Sequence, residues 1–191
     1  MTGIKTFEQL TFRKATTDDS AVICRLVNSA YRGDSSRAGW TTEADLIEGA
    51  RITEAEVDGL INQEGSVILL CINSNGIVGS VHLENKGEKA YLGLFVVEPG
   101  LQGSGIGKKF MQAAEEMTRD EWGAAGMTMS VISVRQELIA FYERRGYRKT
   151  GHSSGFPSDA GGSVPKIDGL IMIGLEKIYV NDRIGAIVDM E

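Results

Sequence analysis

A mixed, mostly antiparallel sheet with helices on both sides is the α/β (α+β) fold class that this chain predicts, on three features. Segments with apolar residues at helical spacing alternate with short strand-like runs along the whole chain. An Asn-Gly pair, Asn75-Gly76, lies between two such runs and calls for an antiparallel hairpin. The run Tyr91 to Val97 is apolar on both faces, as a strand in the middle of a sheet must be.

The elements follow in order. A strand near Leu10 to Ala15 leads to a helix capped around Thr17, whose Val22, Ile23, Leu26, Val27 and Ala30 fall on one stripe. A second helix begins at Thr53-Glu54-Ala55-Glu56, where the Thr hydroxyl and the Glu carboxylate can each cap the other's backbone amide. Val67 to Ile72 and Ile77 to Leu83 are the arms of the hairpin, with Asn75 and Gly76 chosen for the turn because both tolerate φ > 0. Beyond the central strand, Ile106, Phe110, Ala113, Ala114 and Met117 mark a helix running to about Trp122 that buries one stripe against the sheet. Met127 to Val134 reads as a strand, Glu137 onward as a helix, and Leu170 to Leu175 as a late strand. Between them, His152 to Gly169 is rich in Gly and Ser and is expected to be a long loop. A single domain is expected over residues 1–177. The stretch 178–191 reads as an extra strand, a subunit contact in a homodimer, or a packed tail.

Composition narrows the function. The chain has 191 residues, 42% of them hydrophobic, enough for one ordinary globular core. No apolar run approaches the ~20 residues of a membrane span, and Met1 to Leu10 lacks the apolar stretch of a signal peptide, so a cytoplasmic protein with no membrane partner is expected. Cys24 and Cys71 stand in apolar surroundings without a CxxC or His-rich context and read as buried reduced thiols. With His82 and His152 as the only histidines, no metal site is expected. A net charge of −6 argues against nucleic acid and mildly favours a cationic amine as partner.

The segment Gln102-Gly103-Ser104-Gly105-Ile106-Gly107 lies between the central strand and the next helix. Glycines let backbone approach a ligand with no Cβ in the way, and the first-turn amides of a helix have no intrahelical acceptor, so strand, Gly-rich turn and helix N-terminus together make an anion site. A Walker A loop fails on register, because Gln102 and Lys109 occupy the places of its first Gly and its Ser/Thr. A dinucleotide GxGxxG fails as well, with Lys108 or Phe110 where the last Gly belongs. The pattern that fits is Q/RxxGxG/A preceded by Val97-Glu98-Pro99, and it resembles the acyl-CoA loop of the GNAT superfamily of N-acetyltransferases. A second block, Glu137 to Tyr147 with Ala140, Tyr142, Gly146 and Tyr147, is similar to the second signature of that family. One departure is Arg135, where many relatives have Asn.

The resemblance implies a GNAT fold in which splayed central strands form the acyl-CoA cleft, with acetyl-CoA as acyl donor. It places Gln102, Gly103, Ser104, Gly105, Ile106, Gly107 and Lys108 on the pyrophosphate, and the backbone of Phe95, Val96 and Val97 on the pantetheine amides and the oxyanion. Tyr142 is placed beside the sulfur, where a phenol with pKa about 10 can protonate a thiolate whose conjugate acid is near 8.5; as a lone helical Tyr it would read as a core aromatic. Glu84, ending the strand beside the central one, is the candidate base acting through a water, with His82 on the same face; either also reads as a solvated strand residue. Trp40 stands in a segment that walls the acceptor site in relatives, and reads as a substrate-facing ring or a lid on the core. The expected activity is transfer of the acetyl group to a primary amine, of a small molecule, peptide or protein, by direct attack in a ternary complex, since no Cys or Ser nucleophile is evident. The alternative is a non-catalytic acyl-CoA-binding regulatory domain.

Overall fold

A computed structural model describes residues 9–157 and 162–180. Seven strands form one sheet: β1 (Thr11–Lys14), β3 (Ser66–Asn73), β4 (Gly76–Asn85), β5 (Lys89–Val97), β6 (Gly126–Ile132), β9 (Ile171–Ile178) and β7 (Arg148–Gly155), adjacent in that order. Every pairing is antiparallel except β5 with β6. A second ribbon joins β2 (Ile47–Glu48) to β8 (Val164–Pro165). The expected fold class is the observed one.

Helices cover both faces because each carries an apolar stripe and the strands alternate in and out. On one face α1 (Ser20–Tyr31) and α2 (Glu54–Asn62) bury Ile23, Val27, Ala30 and Val57 against Ile68, Leu70 and Val96. On the other, α3 (Ile106–Trp122) and α4 (Gln136–Glu143) bury Phe110, Met111, Leu138 and Tyr142 against Leu83, Leu92, Met127 and Leu175. Phe110 is fully buried and tilted against Phe95, ring centroids 5.3 Å apart. Among the described residues no helix is long and apolar enough to cross a membrane.

Three local expectations change. The hairpin closes on Ser74 and Asn75, since Asn73 pairs with Gly76; the Asn75 N–H donates to Asn73 Oδ1 (2.9 Å), and only Gly76 takes a positive φ, 118°. The first helix is entered through Thr16, not Thr17: the Thr16 N–H donates to Asp19 Oδ2 (2.9 Å), and a single 3-10 turn, Thr17–Asp19, precedes α1. His152 to Gly155 belong to β7, and Val164–Pro165 pair with β2, so the expected long loop is partly strand. Residues 181–191 of the expected tail lie outside the described residues.

What positions the site is the parting of β5 from β6. They pair only from Lys89↔Gly126 to Tyr91↔Thr128, and past that point the cleft-side backbone of each has no strand partner across the gap. A bulge on β5 accompanies the separation: Ser80 pairs with Val96 and His82 with Gly93, so Leu94 and Phe95 oppose Val81 alone. Leu94 is the one non-glycine among the described residues with positive φ, at 49°. For a leucine that conformation costs about 1–2 kcal/mol, which surrounding structure must hold in place. Tyr31 supplies part of the hold, its buried hydroxyl donating to the Phe95 carbonyl (2.7 Å).

Candidate active site

Two cavities meet at this gap. The first, about 260 Å³, runs from the glycine loop along α4. The second, about 300 Å³, lies between the parted strands and reaches under the β2–β8 ribbon. Tyr31, Phe95, Arg135 and Leu138 line both, so these four side chains form the junction.

The first cavity is built to take an anion. Gly105, at φ 92°, is the N-cap of α3 and Gly103 has φ 84°, conformations that favour glycine at both places. A Cβ on either would meet nothing within 4 Å, so the open face of the loop is free for a ligand. The amides of Gly103, Gly105, Ile106 and Gly107 find no acceptor among the described residues. They stand at the positive end of a 17-residue helix. Lys108, Arg144 and Arg145 line the same cavity. Arg145 lies 3.4 Å over the Phe141 ring and donates to the Phe141 carbonyl (2.6 Å); its Nε is buried without a partner, and burial pushes its pKa down. These features fit a pyrophosphate-bearing ligand.

Gln102 does other work in the loop. Its Nε2 donates to the Val97 carbonyl (2.9 Å) and to Thr41 Oγ1 (2.9 Å), and its Oε1 accepts from the Trp40 N–H (2.9 Å). The side chain therefore ties the end of β5 to the segment after α1. A Cβ on Gly39 would come within 2.7 Å of that amide, so this tie needs a glycine there. Ser104 Oγ donates to the Leu101 carbonyl (2.6 Å) and closes the turn from inside.

Tyr142 lines the second cavity from α4. It is almost fully buried, stacked edge-on with Phe141 and Tyr147, and its hydroxyl has no hydrogen-bond partner among the described residues. Burial, with Tyr31 adding to it, pushes its pKa well up, so the hydroxyl keeps its proton. Such a group can donate to an anion formed beside it.

The remaining candidates separate. Phe95 and Val97 reach the first cavity, but Val96 turns into the core against α1. Trp40 lines the first cavity, its ring 5.3 Å from that of Phe141, and does not line the second. Glu84 lines neither: its carboxylate accepts from Lys86 Nζ (2.6 Å) and Gln63 Nε2 (3.2 Å) on the outside of the sheet. His82 is buried with a ring nitrogen 2.9 Å from Ser66 Oγ, and burial lowers its pKa. Neither stands where an attacking amine would, because their strand is one removed from the gap. Cys71 is fully buried, which pushes its thiol up to about 11, while Cys24 is only partly buried.

The second cavity also holds charged residues whose pairing no local sequence pattern reveals. Arg32, just past α1, and Arg135, at the start of α4, both ion-pair with Glu43; Arg135 Nη1 lies 2.6 Å from Glu43 Oε1, and Arg32 meets Oε2. All three side chains are only 8% exposed. Arg135 donates further to the Thr41 carbonyl, and Arg32 Nη2 to Ser163 Oγ (3.3 Å). Arg51 lies over the Tyr31 ring, 5.7 Å from its centroid. The departure at Arg135 thus has a structural use, tying α4 to the segment after α1.

The sheet thus opens between two central strands, with a glycine loop that fits an anion at one end of the gap and a buried, protonated tyrosine within it. The profile of the acetyltransferase (GNAT) domain matches residues 42–156. The chain belongs to this family of acetyltransferases. A comparison with curated proteins gives no significant sequence match. Among solved structures, a chimera of the spermidine N-acetyltransferase SpeG from Vibrio cholerae with hSSAT is similar at TM-score 0.66 and 17% identity, over 89% of this chain and 95% of the other. A ribosomal-protein alanine N-acetyltransferase from Escherichia coli is similar at TM-score 0.66 and 13% identity, over 91% and 97%. An N-acetyltransferase from Staphylococcus aureus Mu50 gives 0.67 and 15%, over 91% and 99%. At such identities the likeness is one of fold.

Proposed function

We propose that the protein is an acetyl-CoA-dependent N-acetyltransferase that moves the acetyl group to a primary amine by direct attack in a ternary complex. The observation that carries this reading is the junction of the two cavities between β5 and β6, with the free loop amides on one side and Tyr142 on the other. Acetyl-CoA supplies the activated thioester. The amides of Gly103, Gly105, Ile106 and Gly107, with Lys108, Arg144 and Arg145 around them, hold its pyrophosphate by charge-assisted bonds. The unpaired edge of β5 from Leu92 to Val97 orients the pantetheine arm and aims the thioester through the gap.

The amine enters from the second cavity and attacks the thioester carbon; the C–N bond forms as the C–S bond breaks. Tyr142 donates its proton, or a hydrogen bond, to the departing thiolate. A phenol above pKa 10 gives its proton uphill to an ordinary thiolate near 8.5. A thiolate in the same buried gap is a stronger base than that, as burial of Cys71 within this protein illustrates. Among the described residues, Glu43 is the one carboxylate lining either cavity, and both its oxygens are held by arginines. The amine therefore arrives neutral, and the proton its nitrogen sheds on attack passes to water, from which the Tyr142 hydroxyl is restored.

Gly105→Val tests the donor half. At φ 92° a β-branched residue is strained, and its side chain would occupy the space assigned to the pyrophosphate. Calorimetry should give CoA binding for the wild type and none for the variant, with the circular dichroism of the two alike. Equal affinity would remove the loop from the binding site.

A further inference from the structure

The protein as a whole carries a net charge of −6, yet the second cavity is positive. Among the described residues, the charged side chains lining it are Arg32, Arg51, Arg135 and Glu43, three positive charges against one negative. Glu43 is shared between Arg32 and Arg135 and neutralises one of them. Arg51 has no ion pair or hydrogen bond from its guanidinium among the described residues, its one recorded neighbour being the Tyr31 ring. Arg32 is more than nine-tenths buried, and its Nε has no acceptor among the described residues.

Arginine does not deprotonate in proteins, so this excess persists at any physiological pH. A buried donor left without an acceptor costs about 1–3 kcal/mol, and an excess of guanidinium charge in a partly closed cavity is unfavourable until an anion enters. The planar donor fork of Arg51 matches a carboxylate or phosphonate in shape as well as in sign, while Arg32, its Nη atoms taken by Glu43 and Ser163, adds positive charge to the same lining. A cationic amine such as a polyamine meets repulsion there instead. The volume of about 300 Å³ stands at the low end for ligand sites, which suits a small acceptor.

Resting on the N-acetyltransferase reading above, the geometry points to an acceptor that is a small amine carrying its own anionic group. That group is held by Arg51, with the charge of Arg32 in the same lining, and the amine is directed to the junction lined by Tyr31 and Arg135.

The test is thiol release from acetyl-CoA with matched acceptors: the L-amino acids, β-alanine and 4-aminobutyrate, their amides, their decarboxylated amines, aminoalkylphosphonates of equal length, and spermidine. At least one carboxylate or phosphonate amine should be acetylated with kcat/KM about tenfold or more above its neutral counterpart. The carboxylate and phosphonate arms tell which anion is preferred. Arg51→Gln should raise KM for that acceptor about tenfold and leave KM for acetyl-CoA within about twofold. Neutral or cationic amines acetylated as well as their anionic counterparts, or no anionic amine acetylated at all, would overturn the inference while CoA binding by calorimetry leaves the donor site standing. Absence of CoA binding would overturn both.

Discussion

At Tyr142 a hydroxyl is kept protonated by burial and has no partner among the described residues, two conditions that a core tyrosine rarely combines. Tyr142→Phe retains the edge-on packing with Phe141 and Tyr147 and removes the donor alone. Its kcat should fall by roughly 10²–10⁴ with CoA affinity unchanged, as measured under conditions where chemistry limits turnover. A thioester with a better leaving thiol should recover part of the loss. Trp40 belongs to the other side of the junction, beside Gln102 and Phe141. Trp40→Ala should therefore raise KM for acetyl-CoA more than KM for the amine, the reverse of what a wall of the acceptor site would give. That the loop glycines and Tyr142 line the two cavities is legible in the sequence because each belongs to a local block, the first between β5 and α3 and the second on α4. Arg32, Glu43, Arg51 and Arg135 are not, because Glu43 and Arg135 are 92 residues apart and only the tertiary fold brings their charges together.

Among the elements, periodicity and caps identify the helices well: the α2 box at Thr53 and Glu56 forms as written, with Thr53 N–H donating to Glu56 Oε2 at 2.7 Å. Turn register is less legible, since a side-chain bond from Asn73 moves the β3–β4 turn by one residue. The β5 bulge is invisible beforehand, because Leu94 carries no mark of a positive φ; the conformation comes from its neighbours. At the entrance to α1, Arg13 makes two bonds to Asp19 (2.7 and 2.8 Å) and, with the Thr16 amide, holds its carboxyl down at about 2. The unfolded pKa is near 3.9, so this contribution is whole above about pH 4 and is lost as pH falls through about 2. Asp19→Asn should lower Tm at pH 6 by an amount corresponding to about 1 kcal/mol, with Arg13 half exposed to solvent. The difference from wild type should vanish near pH 2; a constant difference across that range would assign the effect to packing.

Over the whole molecule, the parted strands make the sheet a partition with a window in it. The glycine loop and the start of α3 border the first cavity, the end of α1 and α4 border both, and Arg32, Arg51 and Ser163 border the second. The overall charge of −6 is a poor guide to either, since most of the charged residues that line the two cavities, among those described, are cations. Net charge sums a surface, whereas binding depends on the few side chains the fold turns inward. The measurement that bears most directly on this account is a crystal structure with acetyl-CoA bound. The pyrophosphate should accept from the amides of Gly103, Gly105, Ile106 and Gly107, and the thioester should lie between β5 and β6 with its sulfur within hydrogen-bond reach of the Tyr142 hydroxyl. Acetyl-CoA bound away from the glycine loop, or with its sulfur outside the gap, would contradict it.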